Sequence, residues 1–143
     1  MSLPPQKFRE IVLQMLFAQD FAPVDAEETI PFFMEEHQVT KKSTLEAYQM
    51  LERILEKLPL LDDILRPISV NFSFERIGRV ERSILRLAAY EFLFQLLPRK
   101  IVLAEAIRLC RKFGTPESAL FVNAILDALQ EAPHSTATPS ILK

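Results

Sequence analysis

Glycine is almost missing from this 143-residue chain: Gly78 and Gly114 are its only two, set against ten prolines. That scarcity excludes glycine-rich nucleotide loops and disfavours tight β-hairpins, and it suits helices separated by short proline-marked turns. Cysteine is scarcer still. The lone Cys110 rules out an intramolecular disulfide framework and fits a reducing compartment. Only two histidines occur, His37 and His134, and neither belongs to a metal-ligand spacing. No uncharged run of about 18 apolar residues exists, so no membrane span is expected. The N-terminus also lacks the basic-then-apolar layout of a signal peptide. The expected location is cytoplasmic.

Reactive constellations are missing as well. There is no phosphate loop, dinucleotide fingerprint or nucleophile elbow. Cys110 falls on an apolar helix face with no histidine near it in sequence, which suits a core thiol whose burial raises its pKa. No enzymatic activity, cofactor or metal is therefore expected.

What is present is helical pattern and uneven charge. The chain is long enough to bury a core as one domain, and with half its residues apolar it needs no staples. The net charge of −2 hides two opposed regions. From Val24 to His37 there are five acidic residues and no Lys or Arg. From Arg76 to Lys112, nine basic residues face three acidic ones, a local net of +6. A basic surface in the second half follows.

Apolar spacing predicts seven helices. The first covers 5–21, opened by Pro4-Pro5, with Phe8, Ile11, Val12, Met15 and Leu16 as its buried stripe. Phe17 lies opposite Phe8, either as a second packing surface or as an exposed binding group. An acidic helix over 25–37 has Asp25 as N-cap. A third, capped by Ser43 or Thr44, runs to Leu58 with Leu45, Tyr48, Leu51, Leu55 and Leu58 inward. A short fourth covers 60–66 between Pro59 and Pro67. Residues 71–74 read as irregular, with Ser73 capping a short turn that ends at Gly78. The sixth helix spans Arg99 to Phe113, with Gly114 as a left-handed stop. Its inward face is Val102, Ala106, Leu109, Cys110 and Phe113, with Glu105 opposite. The seventh starts at Thr115-Pro-Glu117, with Thr115 as N-cap, and buries Val122, Ile125, Leu126 and Leu129. A Ser/Thr/Pro-rich tail, 133–143, reads as disordered. The expected organisation is one domain over 1–132, with an N-terminal helical part over about 5–68 and a C-terminal part over about 73–131.

The fifth helix, 79–97, organises the rest. From Leu87 to Leu97 it is apolar almost all round, so other helices must surround it. Glu91 falls among its apolar residues and should be buried and hydrogen-bonded. At its charged end Arg79, Arg82 and Arg86 lie within about 60° of one another. Such a row can follow a phosphate backbone, or it can pair with carboxylates of the second helix. Glu81, near the helix start, is either held by the dipole or faces a basic partner.

Several stretches carry a resemblance. Val80-Glu-Arg-Ser-Ile-Leu-Arg-Leu-Ala-Ala-Tyr-Glu91 resembles the central helix of the NusB family of bacterial transcription antitermination factors. Ala104-Glu-Ala-Ile107 followed by Lys112-Phe-Gly114 is similar too. Ser118-Ala-Leu-Phe-Val-Asn-Ala-Ile-Leu-Asp127 looks like the family's final S-x-x-F-V-N-x-I/V-L-D motif. In the first helix Arg9-Glu10 and then Gln14-Met-Leu-Phe17 match its opening motif. The resemblance covers 7–131.

It implies an all-α, NusB-like bundle of about seven helices in two subdomains around a central buried helix. It also implies boxA-type RNA of ribosomal leader transcripts as ligand, bound together with NusE, a small-subunit ribosomal protein. RNA polymerase in the elongation complex is then an indirect partner, and no reaction is catalysed. Carried over, Lys7, Arg9, Phe17, Arg79, Glu117 and Phe121 are RNA-facing, while Glu81, Arg82 and Arg86 are NusE-facing. Stacking of bases on Phe17 and Phe121 beside a positive groove suits single-stranded RNA. The chain also departs from the family. Many members carry a run of arginines where this one reads Leu3-Pro-Pro-Gln-Lys-Phe-Arg9, which predicts weaker, less salt-dependent binding. Ile68 replaces a tyrosine of some members, and Ala119-Leu120 replaces a polar-basic pair. An adaptor that keeps NusE but has lost RNA is the alternative.

Overall fold

The structure, a computed structural model, describes residues 3–23, 25–69 and 77–131. Among them are seven helices and no strand: α1 (Pro5–Phe21), α2 (Ala26–His37), α3 (Lys41–Glu56), α4 (Leu58–Ile68), α5 (Arg79–Leu93), α6 (Arg99–Phe113) and α7 (Ser118–Glu131). They divide between two compact units, Met1–Glu56 and Lys57–Lys143. The expected split near residue 70 therefore moves to the start of α4. Leu61 and Leu65 explain the shift, because they are wholly buried on a helix that packs on α5 and α7. The stretch 71–74, the turn before Gly78 and the tail lie outside the described residues.

In the first unit α1 and α2 both pack on α3. α1 spans the expected residues and buries Ile11, Val12, Met15 and Leu16, joined by Leu13 and Glu10. α2 begins as predicted, with the Asp25 carboxylate accepting from the Glu28 amide at 2.9 Å. α3 starts earlier than predicted, and its cap is Thr40, whose hydroxyl accepts from the Ser43 amide at 3.1 Å. Ser43 and Thr44 lie inside the helix and are buried, with the Thr44 hydroxyl donating to the Thr40 carbonyl at 2.8 Å. The inward arc is accordingly Ser43, Thr44, Ala47, Met50, Leu51 and Ile54. Leu45 is exposed, and Tyr48 and Leu55 are only half-buried.

In the second unit α5 is the buried post, with α4, α6 and α7 packed on it. Every residue from Ser83 to Glu91 is buried, the predicted Glu91 included. The helix stops at Leu93, not Leu97. Leu96 takes a left-handed φ of 53° and the Leu97 amide reaches back to the Glu91 carbonyl at 3.2 Å. The left-handed Leu96 and the Leu97-to-Glu91 bond close the helix, and Pro98 directly after them bars its continuation. α4 runs through Pro67, which sits in its last turn and forfeits one helical hydrogen bond. α6 has the predicted bounds, but Glu105 is buried and holds Arg108 through bonds of 3.0 and 3.1 Å. α7 buries the four predicted apolar residues. Gly114 is extended (φ −103°, ψ −151°), not left-handed. Its role is spatial.

Candidate functional site

The candidate residues of the first unit sit on α1. Lys7, Arg9 and Phe17 are all half-buried. By helical geometry Phe17 falls about 80° from each cation and roughly 12–15 Å further along the axis. Its ring packs edge-on against Phe21, centroids 5.0 Å apart, and Phe21 is 61% exposed. Phe17 thus both packs and borders solvent, on the side of the helix that Phe21 shares. Glu10, on the same side, is buried.

In the second unit the arginine row sinks into the protein as it climbs α5. Arg79 is exposed, Arg82 half-buried and Arg86 only 8% exposed. Arg86 holds Asp62 of α4 by two parallel bonds, Nε and Nη2 each at 2.8 Å from a carboxylate oxygen. Of the two readings of the row, phosphate or carboxylates of the second helix, Arg86 follows the carboxylate one in kind but with a different helix, since its acceptor is Asp62 of α4.

Glu81 is buried in the first turn of α5 and accepts a hydrogen bond from the Ser118 hydroxyl of α7. Ser118 in turn accepts from the Thr115 amide at 2.9 Å and lies 3.0 Å from the Thr115 hydroxyl. Thr115 is therefore not the N-cap expected of it: α7 begins at Ser118, whose hydroxyl takes the Thr115 amide, and Pro116 and Glu117 form a turn before the helix. Both glycines border the same carboxylate. A Cβ on Gly78 would overlap Glu81 Oε1, and one on Gly114 would lie 2.8 Å from Ser118 Oγ and 3.1 Å from Glu81 Oε2. Burial, and secondarily the Glu81 charge, pushes the Cys110 thiol up to about 11. Such a thiol is protonated and unreactive near neutrality.

Glu117 is exposed, directly before Ser118, and Phe121 is half-buried one turn later. Leu120 between them is 77% exposed. The fold thus places Glu81 next to the segment that carries Glu117 and Phe121, through Ser118, a residue given no role from sequence. Its signals were its place at the head of the S-x-x-F-V-N motif and the three-residue offset from Thr115, a spacing typical of helix starts. Among the described residues no group of three or more His, Cys, Asp or Glu could hold a metal ion. No helix there is long and apolar enough to cross a membrane.

Seven helices in this order, divided three and four, define an all-helical NusB-like fold. The model of the NusB family matches residues 6–131. A transcription antitermination protein NusB from Chlamydia pneumoniae is 40% identical over 125 residues, 87% of this chain and 78% of that one. The solved T. maritima NusB is 32% identical with a TM-score of 0.77, covering 92% of this chain and 93% of that one. The chain belongs to the NusB family of transcription antitermination proteins. A crystal structure of antitermination factors NusB and NusE in complex with dsRNA shares the fold, with a TM-score of 0.76 at 23% identity over 89% of this chain and 96% of that one.

Proposed function

We propose that this chain binds boxA-type RNA of ribosomal RNA leader transcripts jointly with NusE, and thereby opposes premature termination by the elongating polymerase. The observation that carries the reading is the family match over 6–131, which includes both helices bearing the candidate aromatics. RNA is taken by Lys7, Arg9 and Phe17 of α1 and by Arg79, Glu117 and Phe121 of the second unit. NusE is taken by the start of α5, where Arg82 borders solvent and Glu81 and Arg86 support the surface from behind. The protein acts in the cytoplasm by binding and catalyses no reaction; its one thiol is buried.

A fluorescence titration of boxA and scrambled RNA, with and without NusE, tests this. Affinity for boxA rises when NusE is added, and Phe17→Ala and Phe121→Ala each weaken RNA binding by about 1–3 kcal/mol, the worth of one stacked base. Equal affinity for the two RNAs with NusE present overturns the proposal. The short basic supply at the start of α1, Lys7 and Arg9 only, motivates the adaptor reading. That reading gains if NusE is retained while no RNA binds at low salt.

A further inference from the structure

We propose that Glu81 is a positioning residue for the RNA-facing segment Glu117–Phe121, acting through Ser118 and not by touching a partner. The inference rests on the RNA-binding reading above for its consequence, but its geometry stands alone.

Hydroxyl bookkeeping makes the link directional. Ser118 has one proton to give and two lone pairs to fill. Its proton goes to Glu81, because a carboxylate only accepts. Its lone pairs then take the Thr115 amide and the Thr115 hydroxyl, at 2.9 and 3.0 Å. The hydroxyl is saturated and wholly buried, with 0% exposure. A chain of bonds therefore runs from the entry of α7 into the first turn of α5. Charge assistance makes the last of them the strongest.

The surroundings are fitted to this carboxylate. Both glycines of the sequence, thirty-six positions apart, stand where a side chain would displace it or its serine. Glu81 itself sits near the N-terminus of α5, where the helix dipole favours the anion. Glu117 is the residue before Ser118 and Phe121 lies three after it, so fixing Ser118 fixes the direction of both. At 8% exposure Glu81 offers a partner little surface.

The test compares Glu81→Ala, Glu81→Gln, Ser118→Ala and the Glu81→Ala/Ser118→Ala double variant, all at a temperature where circular dichroism shows them folded. Two readouts are taken: boxA RNA affinity in the presence of NusE, and amide hydrogen exchange at residues 117–121. Glu81→Ala and Ser118→Ala each weaken RNA binding and speed exchange by about tenfold, the worth of one charge-assisted bond. The double variant is no worse than Ser118→Ala alone, since that change already breaks the link to Glu81. Glu81→Gln keeps an acceptor for Ser118 and stays within a few-fold of the parent, whereas a charge contact to a partner would be lost in Gln and Ala alike. Ser118→Ala behaving as the parent in both readouts overturns the proposal, as does Glu81→Gln matching Glu81→Ala. If the parent binds no boxA RNA, the function above falls, and the exchange readout still decides the positioning role.

Discussion

Arg86 and Asp62, twenty-four residues apart, clasp each other through two parallel 2.8 Å hydrogen bonds, with side chains only 9% and 18% exposed. The pair joins α4 to the post helix and explains why α4 belongs with the second unit. A guanidinium that has lost its carboxylate at this depth is costly, so Asp62→Ala should destabilise the second unit by about 3 kcal/mol. Arg86→Ala leaves the more exposed partner behind and should cost less, about 1–2 kcal/mol. Arg86→Lys forfeits the fork geometry and should not restore the parent. Urea denaturation with matched m-values measures all three. An Asp62→Ala midpoint equal to the parent's would show the clasp to be inessential.

The two glycines make a sharper case because neither has a positive φ. Their value lies in the space they leave. Gly114→Ala brings a methyl group to 3.0 Å from the Cys110 carbonyl, a backbone atom that cannot swing aside, and should cost about 1–3 kcal/mol as overpacking. Gly78→Ala collides only with the end of the Glu81 side chain. It should be destabilising in the parent and turn neutral or mildly stabilising, by about 0.5 kcal/mol, when Glu81→Ala is already present. Thermal unfolding of the four combinations decides it, and additive effects would refute the shared-space argument.

What the chain showed in advance follows from which interactions leave local marks. α1, α2 and α6 were legible because apolar spacing, an Asp cap and flanking prolines coincide within a few residues. The buried residues of α7 were legible for the same reason. α3 was misplaced because Ser43 and Thr44 look like caps, yet they lie buried inside the helix, Thr44 is satisfied by the Thr40 carbonyl, and Thr40 is the cap. The end of α5 was overrun because Leu96 and Leu97 continue an apolar pattern although the backbone has already left the helix and turns left-handed at Leu96. In the candidate site the residue types were visible and their pairings were not. Glu81 with Ser118 and Arg86 with Asp62 are separated by 37 and 24 residues, and no periodicity marks such a bond.

Cys110 gives a pH prediction with a definite sign. Its thiol is raised from the ordinary 9.0 to about 11 in the folded protein, by burial first and by Glu81 second. Between those values the unfolded chain has released its proton and the folded one has not. Stability from this group is therefore complete below pH 9 and drains away as pH rises toward 11, by roughly 2–3 kcal/mol in all. Cys110→Ala should flatten that stretch of a stability-against-pH curve. At pH 8 only about one thiol in a thousand is ionised, so labelling by a disulfide reagent should track opening of the fold. Rapid labelling of the native protein at pH 8 would contradict the assignment.

The basic residues that face solvent predict how RNA binding responds to salt. Each phosphate neutralised on a single strand contributes about 0.7 to the slope of log affinity against log salt. Lys7→Ala, Arg9→Ala and Arg79→Ala should each flatten the slope by roughly that amount and weaken boxA and scrambled RNA alike, since phosphate contacts carry no sequence. Phe17→Ala and Phe121→Ala should lower affinity at every salt concentration and leave the slope unchanged. Arg99 is the internal control: it is exposed but lies 3.0 Å from Asp127, so Arg99→Ala should leave the slope as it was. Slopes measured between 50 and 200 mM salt, about the range over which counterion release dominates, separate the two classes. If the three cation variants keep the parent slope and Arg99→Ala loses it, the RNA backbone runs over the start of α6 and not over α1 and α5.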